Sequence, residues 1–133
     1  MEINREEIQK IAMEAENLQR MQKAIKDQIV ALSMASLEAS VTMNSLESLK
    51  GGENSLVSLG SGVFSHGTVG NVDLVLVDIG GGVYGEFPKA KAIELLKKRI
   101  EDTKTVTAKL EADLHKIESS LVELENRARK FIQ

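Results

Sequence analysis

Apolar residues recur at alternating spacings of four and three along both ends of this chain. From Ile93 to Phe131 the pattern is unbroken. Ile93, Ile100, Thr107, Leu114, Leu121 and Ala128 hold one heptad position, and Leu96, Thr103, Leu110, Ile117, Leu124 and Phe131 hold the other. A repeat of 3.5 residues per turn keeps one seam facing a partner helix, so the spacing predicts a coiled coil. A weaker version runs through Ile8, Ile11, Ala15, Leu18, Gln22, Ile25, Ile29, Leu32, Ser36, Ala39, Met43 and Leu46. Asn4 is placed to cap this first helix, with Glu7 three residues on and Ile3 and Ile8 spaced as a hydrophobic staple. Gly51-Gly52 should stop it after Lys50, and Pro88 suits the first turn of the second helix, which runs to about Ile132. Each helix spans about 45 residues, roughly 65 Å at the α-helical rise.

Two helices of equal length joined by a short linker favour an antiparallel hairpin. That fold-back places Gln22 near His115 and Ser36 near Thr103. It also sets Ser33, Ala35, Ser36, Ala39 and Ser40 against Thr103, Thr105 and Thr107. Small residues bury little apolar area, so the coil should be weakest, or its helices closest, in the half next to the linker.

Between the helices the period changes to that of strands. Ser55–Leu59, Val63–Val69, Val72–Ile79 and Val83–Phe87 are short runs punctuated by Gly60-Ser61-Gly62, Gly70-Asn71 and Gly80-Gly81-Gly82, which predicts two β-hairpins. Val72 to Val77 is apolar on both faces. A strand of that kind needs cover on both sides, and isolated hairpins have open edges. The coil points away, so strands from several subunits are expected to join. The chain therefore reads as one unit of α+β class. A coiled-coil helix over 1–50 and another over 88–133 form an antiparallel two-helix hairpin, with two β-hairpins inserted over 51–87.

Composition agrees with this economy of core. Aromatics are 3% of the 133 residues and there is no Trp, which disfavours a large compact core. The absence of Cys excludes a disulfide framework, a thiolate metal site and a cysteine nucleophile. No apolar run approaches the ~20 residues of a membrane span, and the N-terminus lacks a signal-peptide layout, so a cytosolic location without membrane attachment is expected. The net charge is −3, and the segment 51–85 has no Lys or Arg while carrying Glu53, Asp73 and Asp78. Phosphate binding needs clustered cations, which argues against a nucleic-acid partner.

Candidate chemistry is thin. Gly80, Gly82 and Gly85 spell G-x-G-x-x-G, but the residues after them read as a strand where a dinucleotide site needs a helix, so a hairpin turn is the better reading. No P-loop motif is present. His115 has Glu111 and Glu118 within a turn, a spacing more typical of solvated helix pairs than of a metal site. His66 lies in a strand of small polar residues. No catalytic residues, metal ligands or cofactor are expected, and the chain is not read as an enzyme. By contrast, Met1, Ile3, Met13, Val122 and Ile132 are apolar and off the seam, and all lie toward the free helix ends, with Phe131 at the seam's last position. In the hairpin these ends form one tip, and methionine suits promiscuous apolar contact.

The order helix, two hairpins, helix resembles the prefoldin family, and its α class in particular. The run Ser55-Leu56-Val57-Ser58-Leu59-Gly60-Ser61-Gly62-Val63-Phe64 carries the resemblance, together with Asp78-Ile79-Gly80-Gly81-Gly82-Val83-Tyr84 and a second helix opening Ala90-Lys91-Ala92-Ile93. Two hairpins favour the α class over the single-hairpin β class. Ser58 stands where relatives often carry proline, and 65–71 is uncharged where they often carry charge. The resemblance implies an ATP-independent chaperone built as a hexamer of two α and four prefoldin β subunits, its hairpins joined in inter-subunit β-barrels. It implies capture of non-native client proteins at the coil tips and their transfer to a group II chaperonin. Carried onto this chain, assembly would rest on Leu56, Val57, Leu59, Val63, Phe64, Leu74, Leu76, Ile79, Val83 and Tyr84. Client contact would rest on Ile3, Ile8, Ile11, Met13, Leu124, Phe131 and Ile132. The alternative is a scaffold or filament growing through the same strand edges.

Overall fold

The structure is a computed structural model describing the backbone of residues 2–132 and the side chains of residues 5–131. The elements run α1 (Glu2–Ser48), β1 (Asn54–Gly60), β2 (Val63–Thr68), β3 (Leu74–Gly80), β4 (Val83–Pro88) and α2 (Lys89–Ile132). Several boundaries differ from expectation: α1 ends at Ser48, two residues before Lys50, and β3 opens at Leu74, two after Val72. α1 continues back past Asn4 to Glu2, so Asn4 lies inside the first turn instead of capping it. A cap contributes only about 1 kcal/mol, which does not by itself fix a helix end. Pro88 ends β4 opposite Leu74, and α2 opens at Lys89. A proline without an N–H is tolerated at the margin of a strand as well as in the first turn of a helix.

Two compact units make up the chain. The first joins residues 1–35 to 102–133. Here Gln28, Ala31 and Leu32 of α1 and Val106, Lys109, Leu110 and Asp113 of α2 line one shallow groove. That pairing is the antiparallel register in which Gln22 meets His115. The heptad positions from Ile11 to Leu32 and from Thr107 to Ala128 face inward. Ile11, Ile117 and Leu124 are buried, and Ala15, Leu18, Gln22, Ile25, Ile29, Leu32, Thr107, Leu110, Leu114, Leu121 and Ala128 are half-buried. Charged residues occupy the outer positions, with the exposed pairs Arg20–Glu16 (3.0 Å) and Arg129–Glu125 (2.9 Å) one turn apart.

The second unit holds residues 36–101: the end of α1, both hairpins and the start of α2. Ala92 and Leu96 are its buried apolar residues. The boundary between the units falls among the small residues, at Ala35/Ser36 and Glu101/Asp102. Toward the end of α1 the hydroxyls of Thr42, Ser45 and Ser48 donate to carbonyls one turn earlier, which satisfies them without a partner helix.

Candidate assembly surface and helix tip

Each hairpin is a separate two-stranded antiparallel sheet, and the two are built alike. Leu56 pairs with His66 and Ser58 with Phe64 in the first, and Leu76 with Glu86 and Asp78 with Tyr84 in the second. A shift of twenty residues maps one register onto the other, including the bulges at Ser58/Gly60 and Asp78/Gly80. The turn residues Ser61-Gly62 and Gly81-Gly82 all have positive φ, as a two-residue turn matched to the strand twist requires. A side chain or its oxygen seals each bulge: the Gly60 N–H donates to Ser58 Oγ (3.4 Å) and the Gly80 N–H to Asp78 Oδ1 (2.8 Å). The three glycines at 80–82 are thus turn residues, and Gly85 lies in β4 with the Phe87 ring packed over it. A strand follows this glycine motif, so it supplies no helix N-terminus for a pyrophosphate.

The hairpins bury little of their apolar surface. Leu56, Val57, Leu59, Val63, Phe64, Leu74, Leu76, Ile79, Val83 and Tyr84 are all exposed, from 43% at Leu74 to 70% at Leu76. Val75, Val77 and Phe87, on the face opposite Leu74, Leu76 and Tyr84, are half-buried within the chain. Backbone and side-chain hydrogen bonds close the hairpin ends where the chain enters and leaves them. The Gly52 N–H donates to the Val69 carbonyl (3.0 Å), the Lys89 N–H to the Asp73 carbonyl (2.9 Å), and Lys89 Nζ to the Leu49 carbonyl (3.3 Å). Farther along α2, the Arg99 guanidinium donates to the carbonyl of Asp78.

The helix ends offer a smaller set. Ile8, Met13, Val122 and Phe131 are exposed, Met13 most at 65%. Ile11 and Leu124 are buried in the seam at 6% and 5%, so they floor the coil and are not offered to solvent while it is closed. The side chains of Ile3 and Ile132 lie outside the described residues. α1 also carries a second apolar row. Val30, Met34, Leu37 and Val41 lie on one face of α1, off the seam, each more than half exposed. Their 4-3 spacing was the available signal, hidden by the stronger seam beside it. This row makes one stretch of α1 apolar enough, by length and composition alone, to cross a membrane, contrary to the expectation that no run approaches a span.

The histidines stand apart from any site. His66 Nδ1 lies 3.3 Å from Asn54 Nδ2 across the first hairpin, and His115 is exposed on α2. Among the described residues no cluster of His, Asp and Glu is arranged to hold a metal ion.

Comparison with known proteins gives one family. Residues 5–133 match the family Prefoldin, described as prefoldin subunit. The prefoldin subunit alpha of Methanosarcina barkeri is 30% identical over all of this chain and 96% of that protein. The prefoldin subunit alpha of Methanococcoides burtonii is 27% identical over 94% of this chain and 93% of its own length, and that of Pyrococcus horikoshii 27% over 98% and 90%. Among solved structures, filamentous PFD from Methanocaldococcus jannaschii, determined by cryo-EM, matches with a TM-score of 0.57 at 22% identity, covering 93% of this chain and 99% of that one. At that identity the likeness speaks for the fold alone. With its paired seam helices and twin hairpins, and with α-class relatives along its whole length, the chain belongs to the prefoldin family.

Proposed function

We propose that this chain is the α subunit of an ATP-independent holdase, assembling through its hairpins and gripping non-native polypeptides at its coil tip. The observation that carries the reading is the exposure of ten apolar side chains on two small hairpins. Large apolar patches on a soluble chain mark interaction surfaces, and hairpins of this size are marginal until their faces are covered. Strands of neighbouring subunits supply that cover, with four prefoldin β subunits joining two copies of this chain around inter-subunit β-barrels in the cytoplasm. The tip residues Ile8, Met13 and Phe131, with Ile3 and Ile132 beside them in sequence, then hang free of the assembly. Each contact is weak. Several tips acting on one client raise the effective concentration of the next contact and give avidity without a tight pocket. Ile11 and Leu124 join them where the seam parts. A group II chaperonin receives the client.

The test separates the two ends of the molecule. Removing both tips, residues 1–17 and 118–133, should leave assembly with β subunits intact while abolishing suppression of client aggregation, read by turbidity. Full holdase activity in the truncated complex would refute capture at the tip.

A further inference from the structure

The backbone of the second hairpin has a direction. The Lys89 N–H to Asp73 carbonyl bond continues the β3–β4 ladder in the same register as Leu74 opposite Pro88. In an antiparallel pair, hydrogen-bonded and non-hydrogen-bonded positions alternate. Before the bulge, Val75 and Val77 therefore turn their N–H and C=O groups toward β4. Leu74, Leu76 and Asp78 turn theirs outward, to the open edge of β3. Such a row is a template for strand addition, and folded chains commonly protect it until the proper partner arrives. Here the outermost outward carbonyl, that of Asp78, accepts a hydrogen bond from Arg99 of α2. The other margin of the hairpin is blunted as well. Pro88 sits at an outward-facing position of β4 and has no N–H to offer. In the first hairpin Thr68 holds the place that Pro88 holds in the second.

We propose that Arg99 is a removable cap on the outer edge of β3. In the unassembled chain its guanidinium occupies the Asp78 carbonyl, and an edge strand of another prefoldin subunit displaces it when it pairs along Leu74, Leu76 and Asp78. This rests on the assembly reading above and adds a kinetic gate to it. The cap guards the edge beside Leu76, the most exposed of the hairpin's apolar residues, against pairing with a wrong strand. The guanidinium is displaced by an N–H that donates to the same carbonyl, so the hydrogen bond is replaced and the finished assembly loses nothing.

The experiment mixes the full-length chain with a prefoldin β subunit and follows mass by light scattering, with amide hydrogen exchange on the product. R99Q should assemble faster than the unaltered chain by about three- to tenfold, the weight of an ordinary hydrogen bond, to which exposure to water reduces the charge-assisted contact with Asp78, and reach the same final mass. R99K, which keeps a charged donor on a stem longer than glutamine's, should stay near the unaltered rate. The amides of Leu76 and Asp78 should gain protection on assembly. An unchanged or slower rate for R99Q would overturn the cap, the slower rate marking Arg99 as a strut that holds the hairpin ready. Normal assembly with those two amides still unprotected would overturn the choice of edge. Failure of the unaltered chain to gain mass with the β subunit would instead overturn the assembly reading, and the cap with it.

Discussion

Leu76→Ala separates the two environments of the second hairpin. Complete burial of a leucine side chain contributes about 1.5–3 kcal/mol. Leu76 is 70% exposed in the single chain. About 0.5–1 kcal/mol of its burial is therefore realised within the chain, and about 1–2 kcal/mol is left to be gained against another subunit. The substitution should lower the melting temperature of the isolated chain, followed by circular dichroism, by only a few degrees. It should weaken docking of each α subunit about 5- to 30-fold, read as the concentration at which the complex with β subunits dissociates in light scattering. Val77→Ala is the matched control, because Val77 is half-buried on the opposite face. It should do the reverse, with a larger loss of chain stability and a smaller effect on docking. A Leu76→Ala chain that melts many degrees lower yet assembles at the original concentrations would refute the argument, since it would place Leu76 in the chain's own core.

Three further outcomes follow from the same structure. Ile117→Ala removes a buried seam residue and should cost about 2–3 kcal/mol, near the low end for core truncation because the seam is narrow, measured by urea denaturation of the isolated chain. Gly82 has φ +78 with no neighbour in the way, so Gly82→Ala should cost roughly 1 kcal/mol through backbone conformation alone, while Ser61→Gly, at φ 51, should recover part of such a penalty in the other hairpin; paired thermal melts read both. Arg20→Ala breaks an ion pair whose side chains are both about two-thirds exposed, and should shift stability by less than about 0.5 kcal/mol at physiological salt.

The seam was the most legible feature because helical burial repeats along a single chain. Positions from Ile11 to Leu46 and from Ile93 to Ala128 that the heptad assigns inward are buried or half-buried, and Ile8 and Phe131, nearer the helix ends, are exposed. The strands were legible as strands, since glycine-rich turns bracket them. Their faces were not legible from alternation, because Val72 to Val77 is apolar on both sides. The single chain covers Val75 and Val77 and leaves Leu74 and Leu76 open. The tip set mixes apolar residues that close the seam with ones that face water, a distinction the heptad itself carries, since Ile11 and Leu124 fall on it and Met13 and Val122 off it. Ile11 and Leu124 proved to be the former, and Met13 and Val122 the latter. Arg99 looked like any helix cation. Its contact with Asp78 depends on how the hairpin lies along α2, which local spacing does not encode.

The proposed function makes the uncovered hairpin surface an assembly surface shared with other prefoldin subunits. The absolute mass in solution, measured by light scattering for the chain alone and mixed with a prefoldin β subunit, tests it most directly. The expected result is a hexamer of two copies of this chain and four β subunits that appears only in the mixture. A chain whose mass is indifferent to the β subunit, or one that polymerises without it, would contradict that claim.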